Sequence, residues 1–366
     1  MDERFNGIST TLRDGEPYWQ KMRMTYNDPE TGVKRRVTVS YVRNDDAPSA
    51  LENALLLSAE YKPLERKLQV ISELVHPQLP SLSSTWKSEV IGMEFRTQTD
   101  GLLSWRMYED LEEVVQHVPA EKIPAHVPKI DLSELCNFER VNGPVQTVDY
   151  RGNKYALKAH DDPDQNQIFA AELFVRIKVG DVPHVATFVG VVVDIRLDGT
   201  QYVAGILMDY YARGALKWVL TNVPVEWESK WKWACQIAHG MVEIQRAGVM
   251  HGDLRCENVV IDEKGDAYII DIVDGHGFME GYMAIGDKLL DPSRDVFGIG
   301  VTLWEMACDG KDPIHPLTSV GSDEFDTLIR ECVVDKASER VTLDYVFATA
   351  RERKSCGCPA SQIAQK

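Results

Sequence analysis

Three oxygen-bearing side chains at fixed spacing carry the clearest chemistry in this sequence. They lie in the stretch from His251 to Gly275, HGDLRCENVVIDEKGDAYIIDIVDG. Asn258 follows Asp253 by five positions, and Asp271 follows it by 18. Carboxylate and amide oxygens are hard donors, suited to Mg²⁺ and the nucleotide phosphates it carries. For the three to meet, the chain between them must fold back. Val259-Val260-Ile261 and Ala267 to Ile270 are apolar runs, and Asp262-Glu263-Lys264-Gly265-Asp266 between them has turn chemistry. That pattern predicts a β-hairpin with an acid and an amide before it and an acid after it.

The stretch resembles the catalytic loop and metal-binding motif of the eukaryotic protein kinases, H-R-D-L-x-x-x-N followed by D-F-G. Other segments resemble the same family in the same order. Tyr155-Ala156-Leu157-Lys158 is similar to V-A-I-K and lies 95 residues before Asp253. Glu172 lies in DQNQIFAAELFVRIKV, where the family has its helical Glu. VPHVATFVGVVVD, QYVAGILMDYYARGAL and DPSRDVFGIGVTLWEMA resemble H-P-N-I-V-x-L-x-G, M-E-Y-x-x-x-G-S-L and S-D-V-Y-S-F-G-V-x-L-W-E. Arg340 matches the family's late Arg.

The resemblance covers residues 135 to 350 almost continuously. It implies an α+β, bilobal kinase-like fold with a small β-rich lobe and a larger helical one. It also implies ATP- and Mg²⁺-dependent phosphoryl transfer to a protein hydroxyl, serine or threonine ahead of tyrosine. Lys158 would neutralise the phosphates and pair with Glu172. Asp253 would orient the acceptor hydroxyl and take its proton, beside Arg255, which stands where serine/threonine kinases usually have Lys. Asn258 and Asp271 would hold Mg²⁺. Gly143, Val145 and Ala156 would line the nucleotide site with Lys158. Met208 would stand behind the adenine, whose edge would meet the backbone of Asp209 and Tyr211. Asp295 would cap the catalytic-loop backbone.

The departures from the pattern are specific. Of the glycine-rich loop only Gly143 is present, followed by Pro144, which has no N–H to offer a phosphate. Arg176 stands four residues after Glu172, where the family has an apolar side chain. Gly252 replaces the Arg that reads an activation-loop phosphate, and Asp274 to Gly281, DGHGFMEG, contains no hydroxyl to phosphorylate. Activity independent of activation-segment phosphorylation is therefore expected. Val273 replaces the Gly of D-F-G, and Ile285-Gly286 replaces Pro-Glu. Two alternatives follow: a pseudokinase acting as a nucleotide-binding or scaffold module, and a small-molecule kinase of the aminoglycoside and choline type, which shares H-G-D-x-x-x-x-N.

The chain has 366 residues, with 57 acidic and 40 basic side chains and a net charge of −17. That excess argues against nucleic acid as the main partner. No run approaches the ~20 apolar residues of a membrane span. Seven scattered cysteines without a secretory signal read as reduced thiols, placing the chain in the cytoplasm or nucleus. Residues 1–130 read as a small α+β domain that packs on the kinase-like part or binds a regulator. Within it a hairpin is expected around Asn27 to Gly32, helices over Leu51 to Leu74, a strand from Val90 to Phe95 and a helix from Ser104 to Val118. EKIPAHVPKIDLSE, with Pro124 and Pro128, reads as a linker, so the kinase-like domain is expected over residues 131–350 and a flexible tail over 351–366.

Overall fold

A computed structural model describes the chain apart from residues 1–3, 14, 28–33, 59, 61–63, 80–89, 112–113, 163–164, 196–198, 275–280, 285–290 and 354–366. The chain divides into two compact units, Met1–Val115 and Gln116–Lys366. No helix among the described residues is long and apolar enough to cross a membrane.

The first unit is a five-stranded sheet in the order β1-β2-β3-β4-β5, formed by Arg4–Arg13, Glu16–Asn27, Lys34–Val42, Val90–Thr97 and Leu103–Glu109. β3 and β4 pair in parallel, so the chain must cross over between them. Helices α1 (Leu51–Leu57) and α2 (Leu64–Val75) lie in that crossover. Alternate strand residues, Met22, Met24, Val37, Val39, Ile91 and Met93, pack with Leu55, Ile71 and Val75 into one core. The expected hairpin is the β2–β3 pair; most of its turn, with Pro63 between the helices, lies outside the described residues. The helix expected from Ser104 is instead β5. Leu103, Trp105 and Met107 alternate onto the core face while β5 pairs antiparallel with β4.

The second unit begins earlier than the linker reading expects. Val118, Ala120, Ile123 and Val127 are buried with Phe169, Leu173 and Val191, and β6 (Lys129–Asp131) pairs in parallel with β10 (Phe188–Ile195). Apolar side chains around Pro124 and Pro128 thus anchor the segment, and the boundary falls at Val115/Gln116 rather than near residue 130. β7 (Cys136–Asn142), β8 (Val145–Tyr150), β9 (Asn153–Ala159) and β11 (Gln201–Asp209) complete a sheet of order β6-β10-β11-β9-β8-β7. Helix α3 (Asn166–Val179) joins β9 to β10.

The rest of this unit is largely helical. It holds α4 (Leu216–Asn222), α5 (Trp227–Arg246), the hairpin β12 (Val259–Ile261) and β13 (Ala267–Ile269), α6 (Ser293–Ala307), α7 (Asp323–Cys332) and α8 (Leu343–Arg353). In α5, Trp233, Ala234, Ile237, Ala238, Met241 and Val242 form an apolar stripe on the core. Every residue of α6 from Arg294 to Ala307 is buried. A helix buried all round has no water to solvate Asp295, Thr302 or Glu305, so their partners must come from the protein. Those partners lie in the loop that carries Asp253.

Candidate active site

The loop from Met250 to Asn258 has little regular structure and is held by side-chain bonds instead. The Asp295 carboxylate accepts the backbone N–H groups of His251 and Gly252 at 2.8 and 2.9 Å. Burial raises the Asp295 carboxyl pKa, a tendency opposed by His251 and by these two N–H bonds. The Thr302 hydroxyl lies 3.1 Å from the Leu254 carbonyl. The buried His251 ring accepts the Asp253 N–H at Nδ1 (3.2 Å), which puts the proton on Nε2, 3.0 Å from the Ile270 carbonyl. Burial lowers its pKa, consistent with a neutral ring. Gly252 has φ +81°, where a side chain is strained. An arginine on this backbone path would carry that strain.

Asp253 is presented at the end of this scaffold. Asn258 Nδ2 donates to its carbonyl at 2.7 Å and to its Oδ2 at 2.9 Å, and Arg255 Nε lies 3.4 Å from Oδ2. β12 and β13 form the expected hairpin, with Val259 opposite Ile269. The Ile270 N–H donates to the Asn258 carbonyl at 2.9 Å, which sets Asn258 beside the residue preceding Asp271. The two residues expected to meet a cation are therefore close along the backbone at the mouth of the hairpin. Their chemistry fits Mg²⁺ shared with phosphate oxygens.

Lys158 joins the sheet to this hairpin. Its Nζ is 2.7 Å from Glu172 Oε2 on α3 and 2.8 Å from Asp271 Oδ1. Burial alone would lower the ammonium pKa, but the Asp271 and Glu172 carboxylates more than offset it and raise it. Glu172 is 2% exposed and Asp271 35%. Burial raises the Glu172 pKa, against the pull of Lys158. On α3 the buried side consists of Phe169, Glu172, Leu173, Val175, Arg176 and Val179, whereas Ile168 is exposed.

The residues expected beside a nucleotide share one face of the sheet. Lys158 pairs with Val145 on β8, and Ala156, two residues earlier, pairs with Met208 on β11. Met208 is buried. The Asp209 N–H donates to Thr187 O at 3.1 Å, and the Tyr211 carbonyl accepts from the Gly214 N–H at 3.0 Å. Of the backbone groups expected to meet an adenine edge, this leaves the Asp209 carbonyl and the Tyr211 N–H. The Tyr211 side chain turns inward to accept the Thr187 N–H at 3.2 Å, and burial pushes its pKa up to about 12. Between β7 and β8 the chain turns in two residues, Gly143 (φ +51°) and Pro144, with Asn142 paired to Val145.

Sequence reasoning assigned no role to two residues that hold the site. Glu305, fully buried on α6, accepts the Cys256 N–H at 3.1 Å, the Tyr282 hydroxyl at 2.7 Å and Lys217 Nζ at 2.7 Å. Lys217 also meets Asp312 at 2.6 Å and Glu257 at 3.8 Å, so this acidic cluster surrounds an ammonium. Asp274 (φ +48°) accepts the Met250 N–H at 3.0 Å, and the Val273 N–H donates to His251 O at 3.1 Å. Both are visible in the sequence only as unassigned acids in L-W-E and D-I-V-D. Arg340 donates to the carbonyls of Val334, Ser293 and Asp335. Ile285 and Gly286, with most of the activation segment, lie outside the described residues.

Residues 148–275 match the family of protein tyrosine and serine/threonine kinases. The chain is 32% identical over 121 residues to a probable protein kinase of Dictyostelium discoideum, covering 28% of this chain and 34% of that one. It is 21% identical over 291 residues to a mitogen-activated protein kinase kinase kinase 1a of Physcomitrium patens, covering 68% and 37%. A tyrosine-protein kinase receptor of Gallus gallus shares 24% identity over 163 residues, covering 37% and 18%. The chain thus spans at most 37% of the length of these three relatives.

Proposed function

Because the chain belongs to the eukaryotic protein kinase superfamily, we propose that it transfers the γ-phosphoryl group of ATP to a protein hydroxyl, serine or threonine ahead of tyrosine. The observation that carries the reading is the bridge from Glu172 through Lys158 to Asp271, 2.7 and 2.8 Å long, beside the Asp253–Asn258 pair. Groups from the sheet, α3 and the hairpin meet there.

Lys158 places its ammonium on the ATP phosphates while Glu172 keeps it extended. Asp253, fixed by Asn258 and Arg255, hydrogen-bonds the acceptor hydroxyl, aims its oxygen at the γ-phosphorus and receives its proton as the new O–P bond forms. The bond from the γ-phosphorus to the β,γ-bridging oxygen breaks, and ADP leaves. Mg²⁺, when held by Asn258 and Asp271, supplies charge neutralisation for the phosphate oxygens. Control does not pass through activation-segment phosphorylation on this reading, and the Met1–Val115 unit is proposed to bind a regulator or pack on the kinase-like unit. One observation favours a second reading, a nucleotide-binding pseudokinase: the two-residue Gly143–Pro144 turn leaves little backbone N–H to cradle phosphate.

The deciding experiment measures transfer from radiolabelled ATP with Mg²⁺, using protein and peptide acceptors, for the wild type and Asp253→Asn. Transfer lost in the variant and unaffected by prior phosphatase treatment is the expected result. No transfer by the wild type to any acceptor, with Mg²⁺-dependent nucleotide binding retained, moves the assignment to the pseudokinase. Transfer to small alcohols but not to polypeptide moves it to a small-molecule kinase.

A further inference from the structure

Arg176 is 2% exposed, yet its guanidinium is poorly satisfied. One Nη donates to the Ala186 carbonyl at 2.5 Å, and the group lies 5.8 Å from the Phe188 ring centre. Among the described residues its Nε and other Nη have no hydrogen-bond partner. An apolar side chain of similar length would fill the same space without burying a charge, so the arginine carries a desolvation cost that packing alone would not. Burial lowers its pKa, opposed by Tyr211, Glu172 and Asp181, the groups with which it interacts electrostatically.

The single bond it makes leads to the site. Ala186, whose carbonyl holds Arg176, donates its own N–H to Ile269 O at 2.9 Å, and the Ile269 N–H returns to His184 O at 2.9 Å. Ile269 ends β13, two residues before Asp271. Glu172 stands one helical turn before Arg176 on the buried side of α3. We infer that Arg176 is a positioning residue. It ties the helix carrying Glu172 to the strand that leads into Asp271, so that both carboxylates reach Lys158 together, and it does so at a net loss of fold stability. A directed hydrogen bond fixes the register between helix and strand, where apolar packing would let one slide on the other. This inference rests on the proposed function, because the register matters only if Lys158 must be held by both carboxylates.

The test uses the full chain as wild type, Arg176→Met, Glu172→Gln and the double variant, read by thermal unfolding, calorimetric binding of Mg²⁺·ADP and phosphoryl transfer. Arg176→Met is expected to raise the unfolding midpoint while kcat falls roughly ten- to hundredfold with KM for ATP nearly unchanged, as for a misplaced reacting group. In the Glu172→Gln background the same substitution should leave kcat where it was. A lowered midpoint with activity falling in proportion overturns the inference, because Arg176 is then simple structural support. A loss of kcat undiminished by Glu172→Gln also overturns it. If the wild type neither transfers phosphate nor binds Mg²⁺·ADP, the proposed function fails separately. The midpoint of Arg176→Met alone then decides: a rise keeps the arginine as a positioning residue held against fold stability, and a fall overturns the inference.

Discussion

Two turns face each other in function but differ in construction. The catalytic loop is irregular, yet the buried carboxylates of Asp295 and Glu305 and the rings and amides of His251 and Asn258 fix its backbone. The turn between β7 and β8 is regular, short and exposed, and consists of Gly143 and Pro144. In the first, each buried polar group of α6 needs a partner and the loop supplies it, so geometry is over-determined. In the second, besides the hairpin itself a single bond, from the Ala159 N–H to the Pro144 carbonyl, helps set the position, and the proline has withdrawn a donor. The contrast teaches that acceptor-side and nucleotide-side machinery can diverge separately. On the proposed reading, a chain built this way would keep the means of transfer while its grip on triphosphate would depend on Lys158 and the expected metal ligands.

The largest effects should come from the over-determined side. Lys158→Met and Asp253→Asn should each reduce phosphoryl transfer by at least about 10²–10⁴-fold, the usual worth of a positioned acid–base or charge-stabilising group. Circular dichroism and the unfolding midpoint should show both variants folded. Near-wild-type turnover in either variant would rule out a part for that side chain in the transfer step.

Next is the metal pair. The wild type should bind ATP more tightly with Mg²⁺ than without it, and Asp271→Ala should abolish that difference. Titration calorimetry with and without EDTA measures this directly. Tight binding indifferent to Mg²⁺ in both proteins would show that Asp271 and Asn258 do not hold the cation.

A third effect separates scaffold from chemistry. Asp295→Ala leaves the N–H groups of His251 and Gly252 without their acceptor, a loss of about 2–4 kcal/mol in stability from two buried donors. Turnover should fall with it, whereas Mg²⁺·ADP binding measured well below the unfolding midpoint should change less. An unaltered midpoint would mean that the loop does not need the α6 carboxylate.

The same contrast explains how far the sequence could be read. The catalytic loop was legible because its signals are local: fixed spacings, an apolar hairpin and Asp295 at the start of an apolar helix. The strand β5 was misread as a helix because Leu103, Trp105 and Met107 alternate over only seven residues and run into a polar stretch. The domain boundary was misplaced because Pro124 and Pro128 suggest a linker, while the burial of Ile123 and Val127 depends on a partner distant in sequence, the residues of β10 and β11. The departure at Arg176 was visible, but its burial was not, because a charged side chain at the end of a helix ordinarily faces water. Glu305 and Asp274 went unassigned because their partners, the N–H groups of Cys256 and Met250 and the Tyr282 and Lys217 side chains, lie far from them in sequence.

The smallest expected effect lies on the sparse side of the comparison and sharpens it most. Pro144 follows Gly143 in the β7–β8 turn, and Pro144→Ser keeps a compatible φ while restoring one backbone N–H. The Pro144 carbonyl, which accepts the Ala159 N–H at 3.0 Å, is retained, so the turn should stay closed. If the phosphates pass beneath this turn, the restored donor should tighten Mg²⁺·ATP binding by about two- to tenfold, the worth of one net hydrogen bond. Stability should move the other way, falling by about 0.4–1 kcal/mol because serine leaves the unfolded chain more freedom than proline. Calorimetry and thermal unfolding on the same preparation measure the two together. A lowered midpoint with no gain in affinity would place the phosphates away from the turn, and the nucleotide would then be held from the Lys158 side alone.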